Sequence, residues 1–449
     1  MVSRLPAAMK CRLKAGLRTE AGWRKVDFAK HYDDLARCNR CGFCQVACPI
    51  FRATGHEAGV ARGRIALLRA LIERRLEWSR EIEEPLYTCL RCGACTTNCF
   101  PAVATADLVA AARGAYLDRM GRNSLHRLVF DHLLPYPGRL RLAARTVALG
   151  KRSGLTNVAK ALGLLRFLGR DFPRAEEIVE RFPPKALRDL RVPGEYPGTG
   201  ATLRIGYFVG CGMDIMCPDA AEASLRLLRT LGKTVVVLDN VCCGLPAETY
   251  GDRPAAQRLA ESNLERLASG EFDVVVTDCS SCAAFLKKYP ALFPADDPRQ
   301  EAARCASSRI HDLVGFLASA DLPDPSAQTE RVIVTYHDPC HASRGQGLRE
   351  EPRRLLRSLP GIEYRELPEA DWCCGGAGSY ALSHYELSRK VLERKLDNVA
   401  KTGANVLATS CPACLVHLAY GVRLRGLPVR VCHLSEILAG YHGIIHGKT

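Results

Sequence analysis

Ten cysteines in the second half of the chain form two copies of one five-cysteine pattern. In each copy a single cysteine precedes an adjacent pair followed by glycine, and a C-x2-C motif closes the set. The first set is Cys211, Cys242, Cys243, Cys279 and Cys282, and the second set is Cys340, Cys373, Cys374, Cys411 and Cys414. The intervening stretches are 30 and 35 residues in the first set and 32 and 36 in the second. Repetition of so uncommon a pattern indicates a duplicated thiol site.

Five thiols exceed the number that an ordinary metal site requires. A tetrahedral zinc site and a cubane [4Fe-4S] cluster each take four protein ligands. Adjacent residues of a strand point to opposite faces, but a turn at Gly244 or Gly375 would let both thiols of a pair face inward. The fifth thiol therefore either joins a larger or non-cubane cluster or stays free for chemistry. A four-cysteine zinc site with one spare thiol is the alternative.

Eight further cysteines nearer the N-terminus form two C-x2-C-x2-C-x3-C motifs, which are typical of two-cluster ferredoxins. In such proteins three cysteines of each motif hold one cubane cluster and the fourth serves the other cluster. We therefore assign Cys38, Cys41, Cys44 and Cys99 to one cluster, and Cys89, Cys92, Cys95 and Cys48 to the other. Phe100 departs from the usual motif, in which proline directly follows the last cysteine. A zinc interpretation would need separated C-x2-C knuckles.

Composition limits the class of protein. The 449 residues are 47% hydrophobic, which suits a globular protein of two or three domains. The N-terminal residues have no apolar signal-peptide core, and no run approaches about 18 apolar residues, so we expect a cytoplasmic protein with reduced, metal-binding thiols. The net charge of +15 counts every cysteine as neutral. Thiolate ligands would offset much of it, and no nucleic-acid motif accompanies it.

The motifs divide the chain into five predicted segments. These are a basic N-terminal extension (1–30), a helical two-cluster ferredoxin domain (31–120), a helical basic linker (121–200), and two cysteine repeats (201–325 and 326–449). Strands alternate with helices in each repeat, which indicates a small parallel sheet. The predicted strands are 204–209, 234–238 and 273–277 in the first repeat, and 332–336, 362–367 and 406–409 in the second. The predicted fold class is therefore α+β and multidomain, with a helical ferredoxin module followed by two α/β repeats.

An apolar and basic stripe lies in the predicted linker. It comprises Leu162, Leu165, Phe167 and Leu168, accompanied by Lys160, Arg166 and Arg170. One interpretation is peripheral contact with the inner face of a membrane, and the other is packing on the next domain.

The cysteine repeats resemble the cysteine-rich CCG domains of heterodisulfide reductase and of the iron–sulfur subunits of 2-hydroxyacid dehydrogenases. The order of parts over residues 30–440 looks most like the iron–sulfur subunit of glycolate oxidase. The likeness lies in LARCNRCGFCQVACPIF, ARGRIALLRALIE, LYTCLRCGACTTNC and CCGGAGSYALSHYELSRKVLERKLDNV. In the heterodisulfide reductase family the five cysteines of a CCG repeat hold a non-cubane [4Fe-4S] cluster. The resemblance carries that role to both five-cysteine sets, so two cubane and one or two further clusters are expected.

The resemblance implies an electron-transfer component of an oxidoreductase. An FAD-binding partner subunit would oxidise glycolate, lactate or a similar 2-hydroxyacid, and this chain would pass electrons to an acceptor such as an electron-transfer flavoprotein or a quinone. The sequence has neither a Walker loop nor a GxGxxG between a strand and a helix, so we expect no flavin in this chain.

An alternative is a terminal enzyme that reduces a disulfide or related acceptor at a CCG cluster, an interpretation that two complete sets favour. The second set would then be catalytic, and His341, which follows Cys340, would donate a proton or a supporting hydrogen bond. Helix capping is the other interpretation of His341. His337, His384 and His417 also lie near this set, and Cys217 is an alternative ligand for the first set. A non-redox, zinc-stabilised scaffold is the third class considered.

Overall fold

The computed structural model describes residues 27–169, 171–180, 182–325 and 331–442. It confirms the predicted fold class, because a helical module precedes two α/β repeats that each contain a small, mainly parallel sheet. Most of the predicted N-terminal extension, including Cys11, lies outside the described residues, as does Arg170.

The ferredoxin module is built from short helices around the two cysteine motifs. They are α1 (Tyr32–Ala36), α2 (Phe43–Ala47), α3 (Pro49–Thr54), α4 (Ala61–Ile72), α5 (Glu83–Tyr87), α6 (Ala94–Thr97) and α7 (Thr105–Met120). The two longest, α4 and α7, carry the helical apolar periodicity seen in the sequence and bury Leu68 and Ala112 completely. Their packing gives the module its own apolar core, to which Leu35 and Leu86 also belong.

Residues 121–200 are mostly helical, as predicted, but their last part belongs to the first repeat. The elements are α8 (Ser124–Arg127), a π-helical turn (Leu128–Leu133), α9 (Pro137–Arg152), α10 (Leu155–Ala161), α11 (Phe172–Ala175), α12 (Leu187–Leu190) and β1 (Gly194–Pro197). Strand β1 lies where composition indicates a linker, and it pairs antiparallel with residues 234–237 at one sheet edge. An edge strand tolerates a terminal proline such as Pro197, which hides the strand from a composition-based prediction.

The first repeat follows the predicted order of strands and helices. It comprises β2 (Leu203–Tyr207), α13 (Cys211–Met216), α14 (Pro218–Leu231), β3 (Gly232–Val237), α15 (Leu245–Tyr250), α16 (Arg253–Ser269), β4 (Val274–Thr277), α17 (Ser280–Leu286), α18 (Pro298–Ser308), β5 (Ile310–Asp312) and α19 (Leu313–Ser319). Its sheet has the order β1-β3-β2-β4-β5, and all pairs except β1 with β3 are parallel. The prediction missed β5, which is too short to show a periodic pattern.

The second repeat has the same plan without the antiparallel edge strand. It comprises β6 (Val332–Tyr336), α20 (Cys340–Gln346), α21 (Glu350–Arg357), β7 (Ile362–Tyr364), α22 (Tyr380–Ser383), α23 (Tyr385–Thr402), β8 (Val406–Thr409), α24 (Pro412–Arg425), β9 (Arg430–His433) and α25 (Leu434–Tyr441). Its sheet order is β7-β6-β8-β9, with every pair parallel. Strand β7 ends before the predicted residue 367, and β9 was not predicted.

The two repeats pack against each other through equivalent surfaces. Helix α14 of the first repeat contacts α25 of the second, while the equivalent α21 of the second contacts α19 of the first. In the same way α13 contacts α24, and α20 contacts α17. This reciprocal pairing is the arrangement of an isologous dimer within one chain. It brings the carboxyl ends of both sheets, where the cysteines lie, to a shared boundary.

Candidate metal centres

Each cysteine of the two sets stands where a strand ends or a helix begins. Cys211 and Cys340 begin α13 and α20, and Cys279 and Cys411 are the residues that precede α17 and α24. The carboxyl edge of a parallel sheet is the usual ligand site of an α/β fold, and helix N-termini favour negative charge there. The fold therefore directs thiols from separate loops into one place in each repeat.

A glycine turn positions the adjacent cysteine pair. Gly244 and Gly375 have φ values of +95° and +89°, a left-handed conformation that glycine adopts readily. A Cβ atom at Gly375 would lie 2.6 Å from the carbonyl oxygen of Ser388. The sharp turn thus turns the pair inward, as the sequence predicts.

The thiols of each set are in mutual contact. In the first set Cys211 Sγ lies 3.7 Å from Cys242 Sγ. Contacts between neighbouring thiols continue along the first set in the order Cys211, Cys242, Cys243, Cys282, Cys279. They run along the second set in the equivalent order Cys340, Cys373, Cys374, Cys414, Cys411. The structure thus brings together all five predicted cysteines of each set.

The two sets touch across the boundary between the repeats. The Cys279 thiol contacts the Cys411 thiol, so the first cysteines of the two C-x2-C motifs meet. Ser281 Oγ lies 3.3 Å from Cys411 Sγ and 2.8 Å from His341 Nδ1. His341 therefore reaches the second set through a serine of the first repeat. The side-chain hydrogen bond of His341 goes to this serine hydroxyl and not to a backbone amide of α20, which favours a supporting role over helix capping.

The ferredoxin cysteines group as the crossing assignment requires for one cluster. Cys48 lines the same cavity as Cys89, Cys92 and Cys95, although it belongs to the other motif. Cys38 and Cys99 pack against the same apolar core, and Arg37 donates a 2.9 Å hydrogen bond to the carbonyl of Pro101 beside Cys99. The loop that carries Phe100 leaves that side chain exposed and keeps Cys99 beside the core.

A further thiol contact joins the ferredoxin module to the second repeat. Cys92 contacts Cys373, and both belong to an apolar cluster with Ile50 and Tyr380. Tyr380 donates a 3.2 Å hydrogen bond to the carbonyl of Thr88, across the same boundary. The thiol sites therefore follow one another in space, from the ferredoxin module through the second set to the first.

The donor set fits a metal core that carries positive charge. Burial raises the pKa of the Cys44 and Cys48 thiols. For Cys211, contact with the Cys242 thiol and then burial raise the pKa well above its usual value. Hydrogen bonds from neighbouring thiols instead lower the pKa of Cys243, Cys374 and Cys411. Each set thus mixes thiols that favour and disfavour ionisation, whereas metal binding would hold all of them as thiolates. Iron–sulfur clusters, which use all-cysteine ligation, suit such sites.

Buried or half-buried arginines accompany the thiol sites, and the sequence analysis did not single them out. Arg64 is buried in the wall of the Cys48 cavity and donates a 2.6 Å hydrogen bond to the carbonyl of Pro85. Arg62 lies beside the first ferredoxin motif and donates to the carbonyl of Arg40 at 3.3 Å. Both arginines belong to the ARGRI segment, which the resemblance had already marked. Arg344 lies between Cys92 and the second set, and Arg188 lies beside Cys211.

His337 is a second residue that the sequence analysis left without a role. It follows β6, and its side-chain nitrogen lies within 4.8 Å of the sulfur atoms of Cys374 and Cys414. Burial, followed by the positive charge of Lys395, lowers the pKa of His337 to about 3, so the imidazole is neutral. Its position three residues before Cys340 is the feature of the sequence that could have indicated its place beside the second set.

The remaining candidates lie outside the two sets. Cys217 is buried between α13 and α14, and burial raises the pKa of its thiol. Cys305 and Cys432 are buried in α18 and β9. His384 stacks on Tyr380 with ring centroids 4.7 Å apart. The role of Cys217 as an alternative ligand of the first set stays a prediction.

An exposed apolar face covers α9, α10 and the 3-10 turn Leu164–Leu168. Its largest exposed side chains are Leu142, Leu149, Leu155, Val158, Leu162, Leu164 and Phe167. Leu162 is 68% exposed and Phe167 is 89% exposed, so these two residues do not pack on the next domain. No helix in the described ranges has the length and apolar character needed to cross a membrane.

Three families match successive parts of the chain. Residues 34–102 match the 4Fe-4S dicluster domain, and residues 121–179 match the linker region of the glycolate oxidase iron–sulfur subunit. Residues 205–287 and 334–419 each match the cysteine-rich CCG domain. These matches follow the order of modules seen in the structure.

Similar proteins match this chain over much of their own length. The probable glycolate oxidase iron–sulfur subunit of Bacillus subtilis is 32% identical, over 94% of this chain and 98% of that protein. One subunit of the fumarate reductase (CoM/CoB) of Methanothermobacter marburgensis is 30% identical, over 90% of this chain and 72% of that protein. A lactate utilization protein of Oceanobacillus iheyensis is 29% identical, over 53% of this chain and 96% of that protein.

Proposed function

Because this chain belongs to the family of glycolate oxidase iron–sulfur subunits, we propose that it is the electron-transfer subunit of a flavin-dependent 2-hydroxyacid dehydrogenase. The substrate class is glycolate, lactate or a similar acid, which an FAD-binding partner chain oxidises. The single observation that carries the proposal is the continuous line of thiol sites from the ferredoxin module to the first set. Such a line suits the transfer of electrons over a distance better than chemistry at one site.

The contacts between thiols of neighbouring sites would determine the order in which electrons pass along the chain. Bound clusters would accept and release single electrons, whereas a flavin accepts a pair. We assign two cubane clusters to the ferredoxin cysteines and a non-cubane [4Fe-4S] cluster to each five-cysteine set. The Cys92–Cys373 contact makes the second set the neighbour of the ferredoxin module, and the Cys279–Cys411 contact makes the first set the last site. Arg64 and Arg344 would offset negative charge along this line.

The test uses the chain with and without its flavoprotein partner. Purified alone under anaerobic conditions, the chain should contain iron and sulfide but no flavin. With the partner present, glycolate or lactate should bleach the iron–sulfur absorbance of this chain. A stoichiometric flavin in the isolated chain would contradict the proposal, as would full dye reduction by the partner with no change in these clusters.

Reduction of a disulfide at a five-cysteine set is the second candidate function. It is favoured by the completeness of both sets and by a cavity beside Cys211 and Cys242, which Leu134, Leu140 and Arg188 also line. In that case the chain alone, reduced by dithionite, should cleave a disulfide substrate catalytically. Absence of turnover, together with reduction by the flavoprotein, would leave electron transfer as the function.

We assign the exposed apolar face to an anionic membrane surface, where an acceptor such as a quinone would be reached. Residues 137–169 contain seven lysines and arginines and no acidic residue. Four of these residues form ion pairs with acidic residues elsewhere in the chain, namely Arg141, Arg145, Lys151 and Lys160. Arg152 and Arg166 have no carboxylate partner within the described ranges, so they supply the cationic groups of this face. Exposed leucines beside cationic groups suit the boundary between lipid headgroups and acyl chains.

Vesicle flotation tests this surface. The protein should float with vesicles that contain phosphatidylglycerol but not with vesicles of phosphatidylcholine alone. The double substitution Leu149→Gln and Phe167→Gln should abolish flotation, whereas Leu76→Gln, an exposed leucine of the ferredoxin module, should not. Retained flotation in the double variant would contradict the membrane assignment. If that variant instead loses its flavoprotein, or an electron-transfer flavoprotein, the surface is a protein interface.

A further inference from the structure

The two five-cysteine sets are equivalent in backbone but differ in one buried side chain beside the thiols. Phe208 follows β2 in the first repeat, and His337 follows β6 in the second, each three residues before the first cysteine of its set. Their backbone amides donate equivalent 2.9 Å hydrogen bonds, Phe208 to the carbonyl of Val276 and His337 to that of Ala408. The two residues therefore occupy the same place in the two repeats.

The His337 imidazole makes no hydrogen bond of good geometry to a described protein group, although the backbone carbonyl of Ala370 lies near enough to act on its pKa. Its residue is 1% exposed, and neither ring nitrogen makes a hydrogen bond within the described part of the chain. One ring nitrogen of His337 lies within 4.8 Å of the sulfur atoms of Cys374 and Cys414, and these two sulfur atoms lie within 4.8 Å of each other. Buried polar groups in folded proteins are normally paired. The unpaired imidazole points to a partner held by these thiols.

Two further differences between the repeats also place an ionisable side chain beside the second set. Lys395 is fully buried and donates to the carbonyl of Ala370 at 3.1 Å, whereas the equivalent residue of the first repeat is Asn263, which donates to the carbonyl of Cys242 at 3.0 Å. His417 packs on the glycine turn of the second set, where the first repeat has Phe285. Lys395 and His417 therefore give the second set ionisable neighbours where the first set has Asn263 and Phe285, and the buried Arg188 is the cationic neighbour of the first set, on its Cys211 side.

We propose that His337 donates a hydrogen bond to a sulfur atom of the cluster in the second set, and that this cluster consequently has a higher reduction potential than the cluster in the first set. The inference depends on the part of the proposed function that places a cluster in each set, but not on the substrate. Hydrogen bonds to cluster sulfur and nearby positive charge stabilise the reduced cluster, which is the more negative form. Phe208 offers no such donor to the first set.

The order of reduction would follow from this difference. The second set lies between the ferredoxin module and the first set, so an electron from the module reaches it first. A higher potential would retain that electron there. The first set would then be reduced only after the second, and the chain would hold two electrons in adjacent sites.

Redox titration of the full chain, followed by electron paramagnetic resonance, tests the role of His337. In His337→Phe one midpoint potential from the five-cysteine sets should fall, with the iron content and the ferredoxin signals unchanged. His337→Asn and His337→Gln, which retain an N–H donor, should restore part of the lost potential. In Phe208→His, the reciprocal variant, the lower of the two midpoint potentials should rise.

Three different results would each overturn the inference. An unchanged midpoint in a folded His337→Phe protein would exclude a hydrogen bond to the cluster. Loss of iron from the second set in that variant would make His337 a ligand rather than a donor. If His337→Phe does not fold, an unchanged midpoint in Phe208→His would overturn the inference. These measurements require no flavoprotein, so a failure of glycolate-dependent reduction would leave their result unaffected.

Discussion

Cys279 of the first repeat faces Cys411 of the second, and their thiols are in contact. The two cysteines occupy the same position in their respective C-x2-C motifs. A contact between equivalent residues, together with the reciprocal contacts of the surrounding helices, is what an approximate two-fold relation between the repeats requires. Duplication of one small domain has thus placed two metal sites side by side.

Magnetic coupling between the two sets is the first prediction. A chain with all four clusters should contain roughly sixteen iron atoms, and the partially reduced protein should show spin–spin interaction between the sets. Replacing the adjacent pair by Cys242→Ala and Cys243→Ala should remove roughly four iron atoms and abolish that interaction. An iron content of roughly eight atoms would mean that only the ferredoxin clusters are present.

The crossing ligand of the ferredoxin module gives a second prediction. Cys48→Ser should perturb the cluster of Cys89, Cys92 and Cys95, because Cys48 lines their cavity. Cys44→Ser is the matched control from the same motif and should perturb the other cluster. Site-selective changes in the electron paramagnetic resonance spectrum distinguish the two. The crossing assignment is wrong if Cys48→Ser affects only the cluster of Cys38, Cys41 and Cys44.

Gly63 should tolerate no side chain, although it lies within helix α4. A Cβ atom there would lie 2.0 Å from the carbonyl oxygen of Glu57, so the backbone would have to move. We expect Gly63→Ala to destabilise the module by about 1–3 kcal/mol, the usual effect of overpacking. Anaerobic denaturation of the iron-loaded chain measures it. Gly138→Ala, in helix α9 with no atom within 4 Å of the added Cβ, should be neutral or stabilising.

Arg64 should stabilise the fold and raise the reduction potential of the neighbouring cluster. Arg64→Gln would leave the buried carbonyl of Pro85 and the hydroxyl of Thr88 short of a donor, at an expected stability loss of about 1–3 kcal/mol. Removal of the positive charge should also lower the midpoint potential of the cluster assigned to Cys48, Cys89, Cys92 and Cys95. Arg69→Gln, on the same helix but in a more exposed ion pair with Glu73, should have little effect on either quantity. Equal effects of the two substitutions would contradict a specific role for Arg64.

The sequence alone was sufficient to predict all-cysteine metal sites and the fold class. Cysteine spacing is a local property, so the two ferredoxin motifs and the repeated five-cysteine pattern predict candidate ligands without knowledge of the fold. Alternation of apolar strands with amphipathic helices likewise predicts each repeat, because both periodicities depend on neighbouring residues. The short strands β5 and β9 and the edge strand β1 were missed, since pairing with a distant strand, rather than local pattern, determines them.

Tertiary structure alone decided how the sites are arranged. The contacts of Cys92 with Cys373 and of Cys279 with Cys411 join residues that are far apart in sequence, so no spacing rule predicts them. The same applies to His337, which is buried beside two thiols and makes no hydrogen bond of good geometry to a described protein group. Sequence thus predicted which residues are candidate metal ligands, because the motifs that carry them are local. The order of the sites and the difference between their surroundings depend on packing between domains, which only the folded chain specifies.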